Sequence, residues 1–355
     1  MAETEAAGTA EFGERMIRML NEAALSLMVS VGHRTGLFDV MAAMPAATSA
    51  EIAAAAGLDE RYVREWLAAM TTGRIVDHDG AAGSFWLPPD HAAWLTRAAG
   101  PDNVAVQAQY VGLLALVEDQ IVDCFHCGGG VPYSAFPKFQ ALMAEDSGAV
   151  LDATLIDLTL PLVPGLDDHL RQGIDVADVG CGSGHAINLM AEAFPRSRFF
   201  GFDLSGTGIA AGEAEASRKA LTNARFEKRD AARLGETARY DLITTFDAVH
   251  DQARPDLVLA GIAQALRPGG VYLCVDIAAS SELPDNLDHP LGPLLYTISC
   301  MHCMTVSLAE SGMGLGAMWG EQKAREMLHD AGFTCVETAH VDGDIVNTYF
   351  IATKN

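Results

Sequence analysis

The sequence predicts an α/β protein: an open, mostly parallel sheet flanked by helices in the C-terminal half, behind a smaller α-rich domain. Three observations lead there. First, an apolar run built on Ile174, Val176 and Val179 enters a turn with Gly180, Gly182 and Gly184 at alternate positions. Ile187, Met190 and Phe194 then follow at helical spacing, giving strand, tight turn and helix. Second, β-rich and helix-periodic segments alternate from Asp167 onward. Third, 355 residues exceed one typical core, and half of them are hydrophobic.

Taken in order, residues 1–11 are small and acidic, with no basic or apolar leader segment, and read as a frayed tail. From Phe12 to Val31 one broad apolar stripe marks a helix. A short helix near Leu37 ends by Pro45. Thr48 or Ser49 caps the next helix with Glu51 in its first turn, and Gly57 ends it. Asp59 caps another, carrying Val63, Trp66, Leu67 and Met70 on one face. Two short strands near Ile75–Gly80 and Ser84–Leu87 complete a helix, helix, hairpin pattern, a winged helix spanning 12–95. Residues 96–166 read as an apolar helical connector that roofs a pocket.

The third domain, 167–355, holds strands near Ile174–Val179, Arg198–Asp203, Ala224–Arg229, Tyr240–Thr245 and Val271–Asp276, with helices between. Residues 278–319 form an insertion. Asp342-Gly343-Asp344 joins the last two strands as a hairpin, so the sheet ends antiparallel.

With 47 Asp and Glu against 23 Lys and Arg, the net charge of −24 repels nucleic-acid backbones and anionic lipid. The presumed reading helix brings Arg61 and Arg64 beside Glu60 and Glu65, which favours a dimerisation and lid role for the winged helix over DNA binding. No stretch is long and apolar enough to cross a bilayer. Seven cysteines without secretory context suggest reduced thiols in a cytoplasmic protein.

A nucleotide-like cofactor is expected outside the carboxyl ends of the strands. Asp203 lies 19 residues after Gly184, where a carboxylate accepts both ribose hydroxyls, and Asp230 ends the third strand, where it can accept from an adenine amine. Here the residues resemble the class I S-adenosylmethionine-dependent methyltransferases. Asp178-Val-Gly180-Cys181-Gly182-Ser-Gly184 is similar to their glycine motif with its leading acid. Phe202-Asp203 looks like their ribose acid, Arg229-Asp230-Ala231 like their adenine position, and Leu266-Arg-Pro-Gly-Gly270 like the turn before their fifth strand. With the winged helix, the likeness extends to actinobacterial winged-helix methyltransferases and to the layout of small-molecule O-methyltransferases. It implies a Rossmann-like seven-stranded sheet and S-adenosyl-L-methionine, with S-adenosyl-L-homocysteine as product, held by Asp178, Gly180, Cys181, Gly182, Gly184, Asp203, Leu204, Asp230, Ala231 and Phe246. A nicotinamide dehydrogenase fits less well, because His185 stands where its fingerprint needs a glycine.

Methyl transfer from a sulfonium is an in-line displacement, so a closed apolar site and a base for a hydroxyl acceptor are expected. His250-Asp251 after the fourth strand resembles the His-Asp pair of plant O-methyltransferases and makes His250 the first candidate for general base, with Asp251 beside it. Gln252 stands where those enzymes carry Trp. His302, in Cys300-Met-His302-Cys303, is the second candidate; its plainer reading is a core histidine. That cluster repeats the pattern Cys124-Phe-His126-Cys127, yet adjacent His and Cys rarely reach one tetrahedral ion, and no metal is expected. The expected partner is a small, fairly apolar acceptor, and a homodimer is expected through the N-terminal domain. The rival reading is a ligand-sensing winged-helix regulator with a vestigial cofactor domain.

Overall fold

The computed structural model describes residues 2–354, with side chains from Glu11 onward. Two compact units divide at Ala115 and Leu116. The connector expected at 96–166 is therefore shared between them, its first helices belonging to the N-terminal unit.

In the N-terminal unit, α1 is Ala2–Thr35, α2 Leu37–Ala42, α3 Ser49–Ala56 and α4 Glu60–Thr72. The helix thus starts ahead of Phe12, within the stretch expected to be a frayed tail; Met1 lies outside the described residues. Thr48 caps α3 in a reciprocal capping box with Glu51, and Asp59 caps α4 by accepting from Arg61 and Tyr62 N–H. Strands β1 (Asp77–Asp79) and β2 (Ser84–Trp86) form the antiparallel wing, followed by α5 (Pro89–Leu95), α6 (Val104–Gln107) and α7 (Gln109–Ala115). Phe38, Ile52, Trp66, Leu67 and Met70 pack the core of this unit, with Phe38 edge-on to Trp66. On α4, Arg61 pairs with Glu65 and Arg64 with Glu60 at 3.4 Å, so the positive charge of its exposed face is matched by acids one turn away.

The C-terminal unit opens with α8 (Glu118–Cys127), α9 (Phe139–Thr154) and α10 (Leu166–Gln172). Its sheet comprises β3 (Asp175–Val179), β4 (Arg198–Asp203), β5 (Ala224–Lys228), β6 (Tyr240–Phe246), β7 (Leu266–Ile277), β8 (Cys335–Ala339) and β9 (Asn347–Thr353). The strand order is β5-β4-β3-β6-β7-β9-β8, parallel except for β9, which runs antiparallel to both β7 and β8. This is the seven-stranded sheet with a terminal hairpin that the sequence predicts. Helices α11 (His185–Ala193), α12 (Gly206–Arg218), α13 (Pro255–Ala265) and α16 (Gly320–Asp330) cover it, and the insertion supplies α14 (Gly292–Ile298) and α15 (Met304–Ala309) around a π turn, Ser299–Cys303.

Two apolar layers hold the sheet. On one side Val258, Leu259, Ile262 and Leu328 pack on Ile243 and Tyr272; on the other Leu170, Ile187 and Met190 pack on Val176, Leu242 and Leu273. Every residue of β3 is buried, as both-faced coverage of a parallel strand requires. Burial on both faces lines up the strand ends, where the polar residues of the candidate site stand. Among the described residues no single helix is long and apolar enough to cross a membrane.

Candidate active site

The chain leaves β3 through Gly180, Gly182 and Gly184 into α11. At Gly184 a Cβ would lie 2.3 Å from a Phe226 ring carbon, and φ is 73°, so glycine alone fits. Gly182 N–H donates to Asp203 Oδ2 at 2.8 Å, and Ser205 N–H donates to Oδ1 at 2.7 Å. These bonds fix the half-buried Asp203 carboxylate at the end of β4, beside the turn, with lone pairs left for a diol. Burial pushes its carboxyl upward, and the two N–H donors offset part of that. Leu204, next to it, is exposed.

Asp178 is buried, its Oδ1 accepting from Thr244 Oγ1 at 2.9 Å, and burial pushes its carboxyl up to about 7. Cys181 is half-buried with its thiol pushed up, first by burial and then by the charges of Asp178 and Asp203. Asp230, after β5, caps a turn through Ala232 N–H at 2.9 Å, and Ala231 is buried beneath it. Phe246 ends β6 half-buried against the core. The cofactor candidates read from sequence thus lie along the ends of adjacent strands and the turns that leave them.

His250 and Asp251, adjacent in sequence, take different partners. His250 Nδ1 meets Asp276 Oδ1 at 2.6 Å, and that oxygen also accepts from Trp319 Nε1 at 3.2 Å and from Ile277 N–H at 2.8 Å. Asp251 turns away: its Oδ2 accepts from the Tyr133 hydroxyl at 3.3 Å and its Oδ1 from Gln252 Nε2 at 3.3 Å. The reason is topological. Asp276 lies on β7, beside β6, and reaches the imidazole from the neighbouring strand, whereas the side chain next in sequence diverges from it. Burial pulls the His250 imidazole down, but Asp276 and Cys303 overcome this and hold it well above its ordinary value. Burial likewise pushes the Asp251 carboxyl up to about 6, against the pull of His250.

His302 is fully buried in the π turn. Its ring stacks on Phe139 with centroids 3.6 Å apart and stands edge-on to Phe136 and Tyr133 at 4.7 and 5.1 Å. Neither ring nitrogen has a hydrogen-bond partner among the described residues. Burial, reinforced by the charge on His250, lowers it to about 3, so the ring is neutral. The aromatic wall arrives on the loop after α8. There Gly130 packs so tightly that a Cβ would lie 2.0 Å from the Thr305 carbonyl oxygen, and Val131 N–H donates to Thr305 Oγ1 at 2.8 Å. Cys124, Cys127, Cys300 and Cys303 are free thiols, and among the described residues no three His, Cys, Asp or Glu side chains are arranged to hold a metal ion.

Sequence reasoning missed Asp276, Trp319, Tyr133 and Phe139. Asp276 carried a readable signal, an acid closing an apolar strand as Asp203 does.

Two family models match the chain: an Rv2258c-like winged HTH domain over residues 23–97 and a methyltransferase domain over residues 170–332. The chain thus carries an Rv2258c-like winged HTH domain followed by a methyltransferase domain. The trans-aconitate 2-methyltransferase of Acidovorax sp. (strain JS42) is 29% identical over 136 residues, 38% of this chain and 48% of that protein. The fatty-acid O-methyltransferase of Mycolicibacterium smegmatis is 29% identical over 115 residues, 32% of this chain and 41% of that protein. The chain thus spans about half the length of the curated relatives it matches. Over nearly its whole length it is similar in fold to the mitomycin 7-O-methyltransferase MmcR, with TM-score 0.72, 17% identity, and 98% and 99% of the two chains covered. Human N-acetylserotonin methyltransferase in complex with SAM gives TM-score 0.70, 16% identity, and 97% and 98% coverage. The methyltransferase domain match and a neighbour in complex with SAM support S-adenosylmethionine as the cofactor, and the donor set at the strand ends suits it. The Asp203 carboxylate matches a ribose diol, the glycine turn offers close backbone approach, and the buried Asp178 faces no protein cation in the groups that act on it.

Proposed function

We propose that this methyltransferase moves the methyl group of S-adenosylmethionine to a hydroxyl oxygen of a small, largely apolar acceptor. The observation that carries the reading is the His250–Asp276 pair at the carboxyl edge of the sheet, near enough for its charge to act on His302, which packs against Tyr133, Phe136 and Phe139. The sulfonium supplies an electrophilic methyl whose C–S bond breaks, with its electron pair passing to sulfur. The protein's part is to orient, to exclude water and to hold a proton. A carboxylate can only accept, so Nδ1–H donates to Asp276 and Nε2 is left as the basic nitrogen. Nε2 removes the acceptor hydroxyl proton as the oxygen–carbon bond forms. Neutral His302 contributes shape and a polar atom without adding charge.

The test is formation of S-adenosylhomocysteine from S-adenosylmethionine across a panel of hydroxylated aromatics. His250→Ala is expected to lower turnover by about 10²–10⁴-fold with cofactor affinity retained. Full turnover in that variant would refute the base assignment, and absence of S-adenosylmethionine binding would refute the whole reading.

The winged helix supports assembly rather than DNA reading. Phe12, Ile17, Leu20 and Leu27 leave an exposed apolar face on α1, suited to a second copy of the chain, and both Arg61 and Arg64 are matched by acids. We expect a cytoplasmic homodimer; a monomer at micromolar concentration in sedimentation would refute the dimer.

A further inference from the structure

Asp247 and Asp276 stand at the ends of neighbouring parallel strands, just after the paired residues Phe246 and Val275. Asp247 N–H donates to the Val275 carbonyl at 2.9 Å, and the residue takes φ 49°, a left-handed conformation that is costly outside glycine. Asp276 is 0% exposed. Its Oδ1 is saturated by His250, Trp319 and Ile277, yet its Oδ2 is buried with no partner among the described residues. Asp247 Oδ1 is likewise buried and unpartnered.

The charged groups that act on Asp247 lie on several elements. Asp247 is acted on by Asp276, by Asp344 of the β8–β9 connection, by Asp146 of α9, and by His250. Three of these four groups are carboxyls. Burial and these like charges push the Asp247 carboxyl up to about 7. Two buried carboxyl oxygens without donors, with further carboxyls around them, are an expensive arrangement unless a proton or a cation completes it. His250 answers one oxygen only, and it is committed to Asp276 Oδ1.

Resting on the methyltransferase reading, we propose that the acceptor carries a cationic amine, which the free oxygens of Asp247 and Asp276 receive while its hydroxyl lies against His250. The aromatic wall holds the body of such a molecule, and the carboxylates disfavour its acidic analogues.

The experiment uses the full chain saturated with S-adenosylhomocysteine and three probes that share a phenol ring: tyramine, tyrosol and 4-hydroxyphenylacetate. They differ only in a terminal ammonium, hydroxyl or carboxylate. Calorimetry at neutral pH is expected to rank tyramine at least tenfold tighter than 4-hydroxyphenylacetate, with tyrosol between. In Asp247→Asn the three are expected to fall within about threefold of one another, since a neutral isostere removes the charge discrimination. Equal affinities, a tighter acid, or no tyramine binding at millimolar concentration would overturn the inference, and each can be read on the wild type alone. A second overturning outcome is an Asp247→Asn variant that loses affinity for S-adenosylmethionine but not for S-adenosylhomocysteine while keeping the amine preference. The acids would then serve the cofactor's charge. Failure of S-adenosylhomocysteine to bind in the first titration would instead remove the methyltransferase reading, so the two failures are distinguishable.

Discussion

Replacing Asp276 by Asn separates the charge of the His250 partner from its shape. Asp276 Oδ1 accepts from His250, Trp319 and Ile277, so an Asn that keeps its oxygen at that position retains all three bonds and loses only the negative charge. Bonds to charged groups contribute about 1.5–3 kcal/mol and neutral ones about 0.5–1.5, so the imidazolium loses roughly 1–2 kcal/mol of support. At about 1.4 kcal/mol per unit, this lowers the imidazole pKa by roughly one unit. In the wild type that pKa is held well above its ordinary value against burial, so the neutral, base-competent form accumulates only as pH rises through the shifted value. The assay is the pH profile of kcat/KM. The wild-type acid limb is expected above the ordinary histidine range, and Asp276→Asn is expected to move it about one unit lower while reducing the plateau several-fold, as a weaker base requires. Asp276→Ala, which strips all three donors of their acceptor, is expected to cost far more. An acid limb that stays in place in Asp276→Asn would refute the argument that this carboxylate sets the basicity of His250.

Asp203→Ala removes the acceptor for a ribose diol and strands two N–H groups, so S-adenosylmethionine affinity is expected to fall at least thirtyfold by calorimetry, about 2 kcal/mol. In Gly184→Ala the new Cβ meets the Phe226 ring at 2.3 Å with φ at 73°, so the denaturation midpoint should fall by the equivalent of about 2–4 kcal/mol; an unchanged midpoint would show that the turn is not tight. His302→Phe exchanges a ring with two stranded nitrogens for an apolar one, so the melting temperature is expected to hold or rise while acceptor KM increases and cofactor affinity stays level. A melting temperature several degrees lower would mean that the nitrogens have partners. Finally, Asp178, Asp247 and Asp251 are raised by burial to about 7, 7 and 6. A carboxyl whose folded pKa exceeds its unfolded value binds more protons when folded, so its contribution to stability falls as pH rises from the unfolded value near 4 to beyond the folded one. Ligand-free protein should therefore melt higher at pH 5.5 than at pH 8; the opposite order would refute the argument that burial raises these acids.

The sheet was legible because its signals are local. Ile174, Val176 and Val179 before alternating glycines, and Asp342-Gly343-Asp344 between two β-rich runs, each specify their element within a few residues. Thr48 and Asp59 likewise announce their caps. The cofactor acids were legible for the same reason, since Asp203 and Asp230 close strands of their own. The partner of His250 was not, because no local signal ties it to that histidine. Asp276 is 26 residues away and becomes a neighbour only when β7 pairs with β6. The aromatic wall around His302 was hidden further still, because Phe139 and Tyr133 precede the sheet in sequence and meet His302 through tertiary packing alone.

The π turn at Ser299–Cys303 holds one residue more than an α-helical turn, flanked on both sides by regular helix. Each residue of an α-helix advances the phase by about 100°, so the surplus residue sets the angular offset between α14 and α15. Deleting a single residue there would let the turn relax to α-helix and rotate α15, carrying the face with Thr305, which anchors the Gly130 loop, away from its present heading. Insertion and deletion at this point, rather than side-chain exchange, is thus a route by which such a chamber could be re-aimed at a different acceptor with the sheet and the glycine turn left untouched.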